Sequence, residues 1–228
     1  MIQYQNKLYG RKKGRRLSVS NKTLINYLLP KIEIKKSSIK KDLHILNDKI
    51  IKKKVFLEIG FGSGELIADQ AFKSEDWYYF GVEPYLNGVV QLLKEIDKKQ
   101  ISNISLFLDD GLILLENLPE NSVDMMAILF PDPWPKKKHK NRRFINLYSI
   151  QKISRVLKPN AKIILASDHW GSQNWILKNF IDSKLFKWNA EKSQDWKSNP
   201  FQWPETKYMK KGIASNNFPA WLLFNNYK

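Results

Sequence analysis

Five short apolar runs in this chain each end in a carboxylate: VFLE at Glu58, YYFGVE at Glu83, ISLFLDD at Asp110, MAILFPD at Asp132 and KIILASD at Asp168. Runs of this length, separated by helix-length segments, have the pattern of buried parallel strands in an α/β sheet. In such sheets ligands sit beyond the carboxyl ends of the strands. One rim of the sheet should therefore collect acids. The chain as a whole has the opposite balance, with 39 Lys and Arg against 22 Asp and Glu and a formal net charge of +17. An acidic rim suits a cationic or hydroxyl-rich small ligand, and a basic surface suits a phosphate-rich partner.

The bulk properties narrow the classes further. A chain of 228 residues fits one sizeable α/β domain with its own core. No apolar run is long enough to span a bilayer, and no strongly amphipathic basic helix marks a membrane surface. The polar N-terminus lacks a secretory apolar region. The chain has no cysteine, which excludes disulfides and thiolate metal sites and agrees with a cytoplasmic location. His44, His139 and His169 are isolated, so no metal site is expected.

Along the chain, residues 1–22 read as a basic arm, with GRKKGRR from Gly10 to Arg16. Such an arm reads as solvated and disordered in the free protein or as one that orders on RNA, and the two readings are compatible. Residues 23–52 read as a helical linker, with TLINYLLP as a short helix stopped at Pro30. Residues 53–228 read as the α/β domain. There strands alternate with helices near Glu65–Lys73, Leu86–Lys99, Gly111–Leu118, Arg142–Leu157 and Trp170–Ile181, and β-like LFKWNA and PAWLLFNNY close the chain. The segment near 191–217 between those last two pieces is polar and reads as a long connection. The expected fold is α/β and Rossmann-like: a doubly wound, mostly parallel seven-stranded sheet with an antiparallel edge strand.

The turn Glu58-Ile-Gly60-Phe-Gly62-Ser-Gly64 lies where the first strand gives way to a helix. Glycines there allow a tight turn and close approach of a ligand to the backbone. The dinucleotide fingerprint is G-x-G-x-x-G with pyrophosphate on the helix N-terminus. Here the spacing is G-x-G-x-G, and Glu58 two residues upstream would repel a pyrophosphate. It would suit an ammonium or sulfonium group, as in S-adenosylmethionine. Glu83, at the second strand's end, lies where an acid takes ribose hydroxyls. Asp110, at the third, is placed to meet an adenine amine.

At the fourth strand's end stands FPDPWPKKKHKNRR, Phe130 to Arg143. Pro131 and Pro133 restrict the backbone around Asp132. Trp134 offers a flat face for a base, and Lys136 to Arg143 offer charge to phosphates. LEIGFGSGE, GVEPYLNGV, FPDPWPKKKH, Ser167-Asp168 and Thr206-Lys207-Tyr208 together resemble the bacterial tRNA (guanine-N7)-methyltransferase family from about Lys53 to the C-terminus. The YGRKKGR arm and the following LLP also resemble some members. The resemblance implies a class I methyltransferase using S-adenosylmethionine on tRNA, at a guanine of the variable loop. It places Glu58, Gly60, Gly62, Gly64, Glu83, Asp110 and Asp132 at the cofactor. It turns Lys136, Asp168, Thr206, Lys207 and Tyr208 towards the substrate. The family pattern continues with an acid where this chain has Met209; Lys210 and Lys211 offer charge to phosphates there.

Guanine N7 has a free lone pair in the neutral base, so methyl transfer there needs alignment and no general base. Positive charge moves onto the base, and an oriented carboxylate stabilises it. Asp132 is the candidate, either through its charge or by accepting hydrogen bonds from the guanine edge. Asp168 competes for the second role, and either could instead hold its loop through backbone N–H groups. Two other readings compete: methylation of an exocyclic amine by an acid-Pro-aromatic turn, and an RNA-binding module that retains the fold without turnover.

Overall fold

The computed structural model describes residues 10, 12, 14–50, 52–201, 203–214 and 217–227. Within them, β1 (Lys54–Ile59), β2 (Trp77–Val82), β3 (Ile104–Phe107), β4 (Val123–Leu129), β5 (Leu157–Ser167), β6 (Phe186–Trp188) and β7 (Ala220–Asn226) form one sheet. The strand order is β3-β2-β1-β4-β5-β7-β6. The ladders β2–β3, β1–β4 and β4–β5 are parallel, whereas β7 runs antiparallel to both β5 and β6. Helices alternate with the strands: α1 (Val19–Ile32), α2 (Ile39–Ile50), α3 (Glu65–Lys73), α4 (Leu86–Lys99), α5 (Gly111–Asn117), α6 (Leu147–Val156), α7 (Trp170–Ser183) and α8 (Lys207–Ala214). The chain divides into two compact units, Met1–Lys54 with Gly60–Leu118, and Val55–Ile59 with Pro119–Lys228.

In the first unit, β2 and β3 are buried almost throughout, which is why their sequences are continuous apolar runs. Helix α4 buries Val89, Val90, Leu92, Leu93 and Ile96 and exposes Lys94, Asp97 and Lys98, the one-sided stripe of a packed surface helix. The buried side chain of Asn103 donates to the carbonyls of Ala71, Ser74 and Trp77 at 2.9–3.1 Å, tying the end of α3 to the start of β2. The helix expected from Thr23 to Pro30 is longer. It starts at Val19 because the Ser18 hydroxyl caps the Asn21 N–H at 3.2 Å, and it ends two residues beyond Pro30. A proline in the last turn removes one hydrogen bond without stopping the chain at once. After α1, the Ile34 N–H donates to the Leu106 carbonyl at 2.8 Å beside β3.

In the second unit, Glu58 pairs in register with Ala127, and Ala127 with Ile164. The carboxyl ends of β1, β4 and β5 therefore face one edge of that unit. The core on the β6–β7 side is aromatic: Phe180 of α7 stacks on Phe224 at 4.6 Å and meets Phe186 at 5.0 Å. Fully buried Asn226 accepts from the Ser154 hydroxyl at 2.8 Å and donates to the Ser154 and Leu157 carbonyls at 3.1 Å. Helix α6 starts at Leu147, five residues later than its apolar pattern suggests. Asn146 and Ser149 form a reciprocal cap there, and the residues before them serve the preceding loop. The polar stretch read as a connection holds a 3-10 helix, Ser193–Trp196, and the helix α8.

Candidate active site and RNA-facing loop

The glycine turn sits in the first unit. Gly60, Gly62 and Gly64 have φ of 80°, 57° and 78°, left-handed values that favour glycine. Among the described residues beyond its chain neighbours, no heavy atom lies within 4 Å of where a Cβ would stand on Gly60 or Gly62, so the turn presents bare backbone. At Gly64 a Cβ would meet Leu92 at 2.7 Å, and at Gly88 it would meet the Gly62 carbonyl oxygen at 2.2 Å. Both glycines let α4 pack against the turn. Glu83, one residue beyond β2, accepts from the Gly62 N–H at 2.8 Å and the Tyr85 N–H at 3.0 Å. Sequence reasoning missed Glu65, which ends the quoted LEIGFGSGE motif. As the first residue of α3 it has a buried Oε1 without a hydrogen-bond partner among the described residues. A bare turn, an oriented carboxylate and an orphaned acidic oxygen fit a ligand with hydroxyl and cationic groups.

Asp110 caps α5 by accepting from the Leu112 N–H at 3.0 Å. Burial, followed by the charges of Asp109 and Glu116, raises its carboxyl above the ordinary value despite that bond and Lys36. Asp109 is the more exposed neighbour. Burial pushes its carboxyl up, but the Asp110 N–H at 2.8 Å and the Lys36 ammonium at 3.1 Å outweigh burial and hold it below the usual value. Of the arm from Gly10 to Arg16, Arg11 and Lys13 lie outside the described residues.

The second unit holds the other predicted residues. Glu58 is buried at 3% exposure, one residue before the end of β1. Asp132 is exposed, in a turn whose flanking Phe130 and Trp134 have φ of 52° and 39°. Side chains rarely adopt such backbone, and non-glycine residues held there mark strain supported by their surroundings. Arg143 supplies that support. Its Nε donates to the Pro133 carbonyl and an Nη to the Trp134 carbonyl, both at 3.1 Å, and its guanidinium lies 4.5 Å from the Trp175 ring centre. Trp175 is itself anchored by its Nε1 donating to the Ile145 carbonyl at 2.7 Å. This corrects the expectation that Arg143 serves phosphates alone: two of its donors turn inward to the carbonyls of the strained turn. A uniform basic run hides that division of labour.

The exposed cations of the loop are Lys136, Lys137, Lys138 and Lys140. Their field is visible at His139, which lost hydration and then Arg142, Lys138 and Lys136 hold below its ordinary value. Trp134 is half-buried, with Arg142 4.9 Å from its ring centre and the His139 ring edge-on at 5.6 Å.

Asp168 follows β5 directly, and His169 caps α7 through Nδ1 at 3.2 Å from the Ser172 N–H. Helix α8 brings the last predicted residues in. The Thr206 hydroxyl accepts from the Met209 N–H at 3.2 Å, Lys207 is exposed, and Tyr208 lies 5.1 Å from the Phe130 ring. Burial raises the Tyr208 phenol above its ordinary value, and the negative charges of Asp168 and then Asp132 add to this. A Cβ on Gly212 would stand 3.0 Å from Asp168 Oδ2. Asp168 thus lies against α8, and the charges of both Asp168 and Asp132 are felt at Tyr208. Met209, at the family's acidic position, is buried at 7% exposure and packs α8. The Lys211 side chain lies outside the described residues.

The strand order and the acid-then-glycine turn define a Rossmann-like methyltransferase. A family model described as "Putative methyltransferase" matches residues 52–220. A Streptococcus mutans protein described as "a putative methyltransferase" and solved in complex with SAH shares the fold at TM-score 0.51 and 13% identity, over 82% of this chain and 96% of that one. Closer in sequence is a tRNA (guanine-N(7)-)-methyltransferase of Bartonella quintana, 38% identical over 95% of this chain and 94% of its own. Its counterpart in Agrobacterium fabrum is 36% identical over 95% of this chain and 93% of its own. The chain belongs to the tRNA (guanine-N(7)-)-methyltransferase family. Among the described residues no helix is long and apolar enough to cross a membrane.

Proposed function

We propose that this chain methylates N7 of a guanine in tRNA, in the variable loop, with S-adenosylmethionine as donor. The observation that carries the reading is identity of 36–38% to enzymes of that name across nearly the whole chain. When bound, the donor supplies a sulfonium methyl group that the free lone pair of guanine N7 can take without prior deprotonation.

The chain's own residues do the rest. Gly60, Gly62 and Gly64 admit the donor to the backbone, Glu83 serves the ribose hydroxyls, and Asp110 serves the adenine amine. Glu58 in the second unit and Glu65 in the first each carry a negative charge suited to the donor's cationic end. Asp132, held in its turn by Arg143, stabilises positive charge arriving on the purine, which helps most when no reorganisation is needed. Asp168 and Tyr208 border the same position, with Thr206 and Lys207 at the start of α8. Lys136 and its neighbours take phosphates. In this division residues 1–22 act as an RNA-facing arm, 23–52 as the helical linker and 53–228 as the methyltransferase domain, acting in the cytoplasm.

The test is Asp132→Ala with labelled donor and unmodified tRNA. Turnover should fall by about a hundredfold or more, the cost of losing one preorganised electrostatic group. Affinity for tRNA should stay within about threefold, because the phosphate contacts that dominate binding are elsewhere. Turnover at the wild-type level would remove Asp132 from the chemistry.

A further inference from the structure

The described part of the basic arm is tied to the donor half of the first unit by backbone. The Lys12 carbonyl accepts from the Leu86 N–H at 3.2 Å. Two residues on, the Gly14 N–H donates to Asn87 Oδ1 at 3.0 Å, and Asn87 Nδ2 donates to the Arg15 carbonyl at 2.9 Å. One side-chain amide thus grips the arm with both its donor and its acceptor, as a neighbouring strand would. Glycine gives this fit its closeness: a Cβ on Gly14 would crowd the Tyr85 hydroxyl and Asn87 Oδ1 and push both side chains away from the arm. The Lys12 charge also contributes to holding Asp109 in its ionised form.

The place of this grip gives it a consequence. Tyr85 and Asn87 stand at the start of α4. The same segment contains Glu83, whose carboxylate holds Gly62 and Tyr85, and Gly88, which abuts the Gly62 carbonyl. Arm, first turn of α4 and glycine turn are therefore joined by direct contacts. Lys12, Arg15 and Arg16 are exposed along this path. A free polycationic arm would lose chain entropy on meeting RNA, whereas a latched one presents its charges already placed.

We propose that Asn87 and Gly14 are positioning residues that latch the arm, so that Lys12, Arg15 and Arg16 form a placed phosphate-binding strap beside the methyl-donor turn. This rests on the RNA-methylating function proposed above and adds to it a specific way of registering the RNA backbone against the donor. In this arrangement the contacts act on RNA binding more than on the methyl-transfer step.

The test is the salt dependence of tRNA affinity in the full-length protein and in Asn87→Ala, Asn87→Asp and a Lys12→Ala/Arg15→Ala/Arg16→Ala triple variant. Each phosphate contact contributes a slope of about 0.7–0.9 in log K against log salt. The triple variant should therefore lose about 2–3 units of slope. Asn87→Ala should lose at least about half of that and raise KM for tRNA about fivefold to tenfold, with kcat changing less. Asn87→Asp keeps the acceptor for the Gly14 N–H but not the donor to Arg15, and should fall between. A merely structural role for Asn87 would lower Tm without changing the slope, and that result overturns the latch. So does a triple variant that loses slope while Asn87→Ala keeps it, since the arm would then act as a loose polycation. Absence of tRNA binding by the wild type would instead overturn the functional reading on which the latch rests.

Discussion

Arg143 carries the sharpest consequence of this structure, because it holds a strained turn. Replacing it with alanine removes two charge-assisted hydrogen bonds, each worth about 1.5–3 kcal/mol, from the Pro133 and Trp134 carbonyls. It also removes a guanidinium–indole contact of about 0.5–2 kcal/mol with Trp175. Against these stands backbone strain at Phe130 and Trp134, about 1–3 kcal/mol for each residue. Holding and strain are similar in size, so loss of the holding side lets the turn relax. A net shift of about 3 kcal/mol would leave the aligned turn about a hundredfold less populated, at 1.36 kcal/mol per tenfold. Turnover of unmodified tRNA, followed by transfer of a labelled methyl group, should fall by that factor. Calorimetric affinity for S-adenosylhomocysteine should stay within about threefold, since the turn's loss acts on alignment. Arg143→Lys keeps the charge but cannot make the paired fork, and should be nearly as impaired. A lysine variant with wild-type turnover would refute the reasoning, because charge alone would then suffice.

Glu83→Gln leaves one good acceptor for two backbone N–H groups. S-adenosylhomocysteine affinity should drop by about a hundredfold, from a lost charge-assisted bond and a loosened glycine turn; a drop under threefold would contradict the role given to Glu83. Asn226→Ala strips a fully buried site of its hydrogen bonds to Ser154 and Leu157. Urea denaturation should show about 3–5 kcal/mol of lost stability, and a loss below about 1 kcal/mol would mean those groups find other partners. Asp109 has a folded pKa below its unfolded value, so its contribution is present above the ordinary carboxylate range and lost as pH falls through the folded pKa. Asp109→Asn should cost about 0.5–1 kcal/mol at neutral pH, a small figure because the pair with Lys36 is largely exposed. The difference from wild type should shrink as pH falls below the ordinary carboxylate range and be lost in strong acid; one that persists there would assign the effect to packing.

Much of the fold was legible because its signals are local. Strands buried on both faces leave continuous apolar runs, and α3 and α4 occupy the residues their patterns mark. Glycines with left-handed φ announce the turn after β1, and Glu83 stands one residue beyond β2 as the spacing suggests. What was not legible depends on contacts distant in sequence. Helix α8 is short and polar, and it is shaped by the burial of Met209 and the contact of Tyr208 with Phe130. Arg143 looks like one more cation until its donors are followed to the Pro133 and Trp134 carbonyls. Asn87 lies inside a quoted motif, yet its partners are more than seventy residues away in the arm. Pattern reasoning also placed the start of α6 too early, because the reciprocal cap of Asn146 and Ser149 cuts into an otherwise helical run.

The most direct test of the central claim is to incubate the protein with S-adenosylmethionine and unmodified tRNA and map the product by base-selective cleavage and mass spectrometry of the digest. The expected result is one N7-methylguanosine per tRNA, in the variable loop, formed by the wild type. A methyl group on an exocyclic amine, or tRNA that binds and leaves unmethylated, would contradict the account.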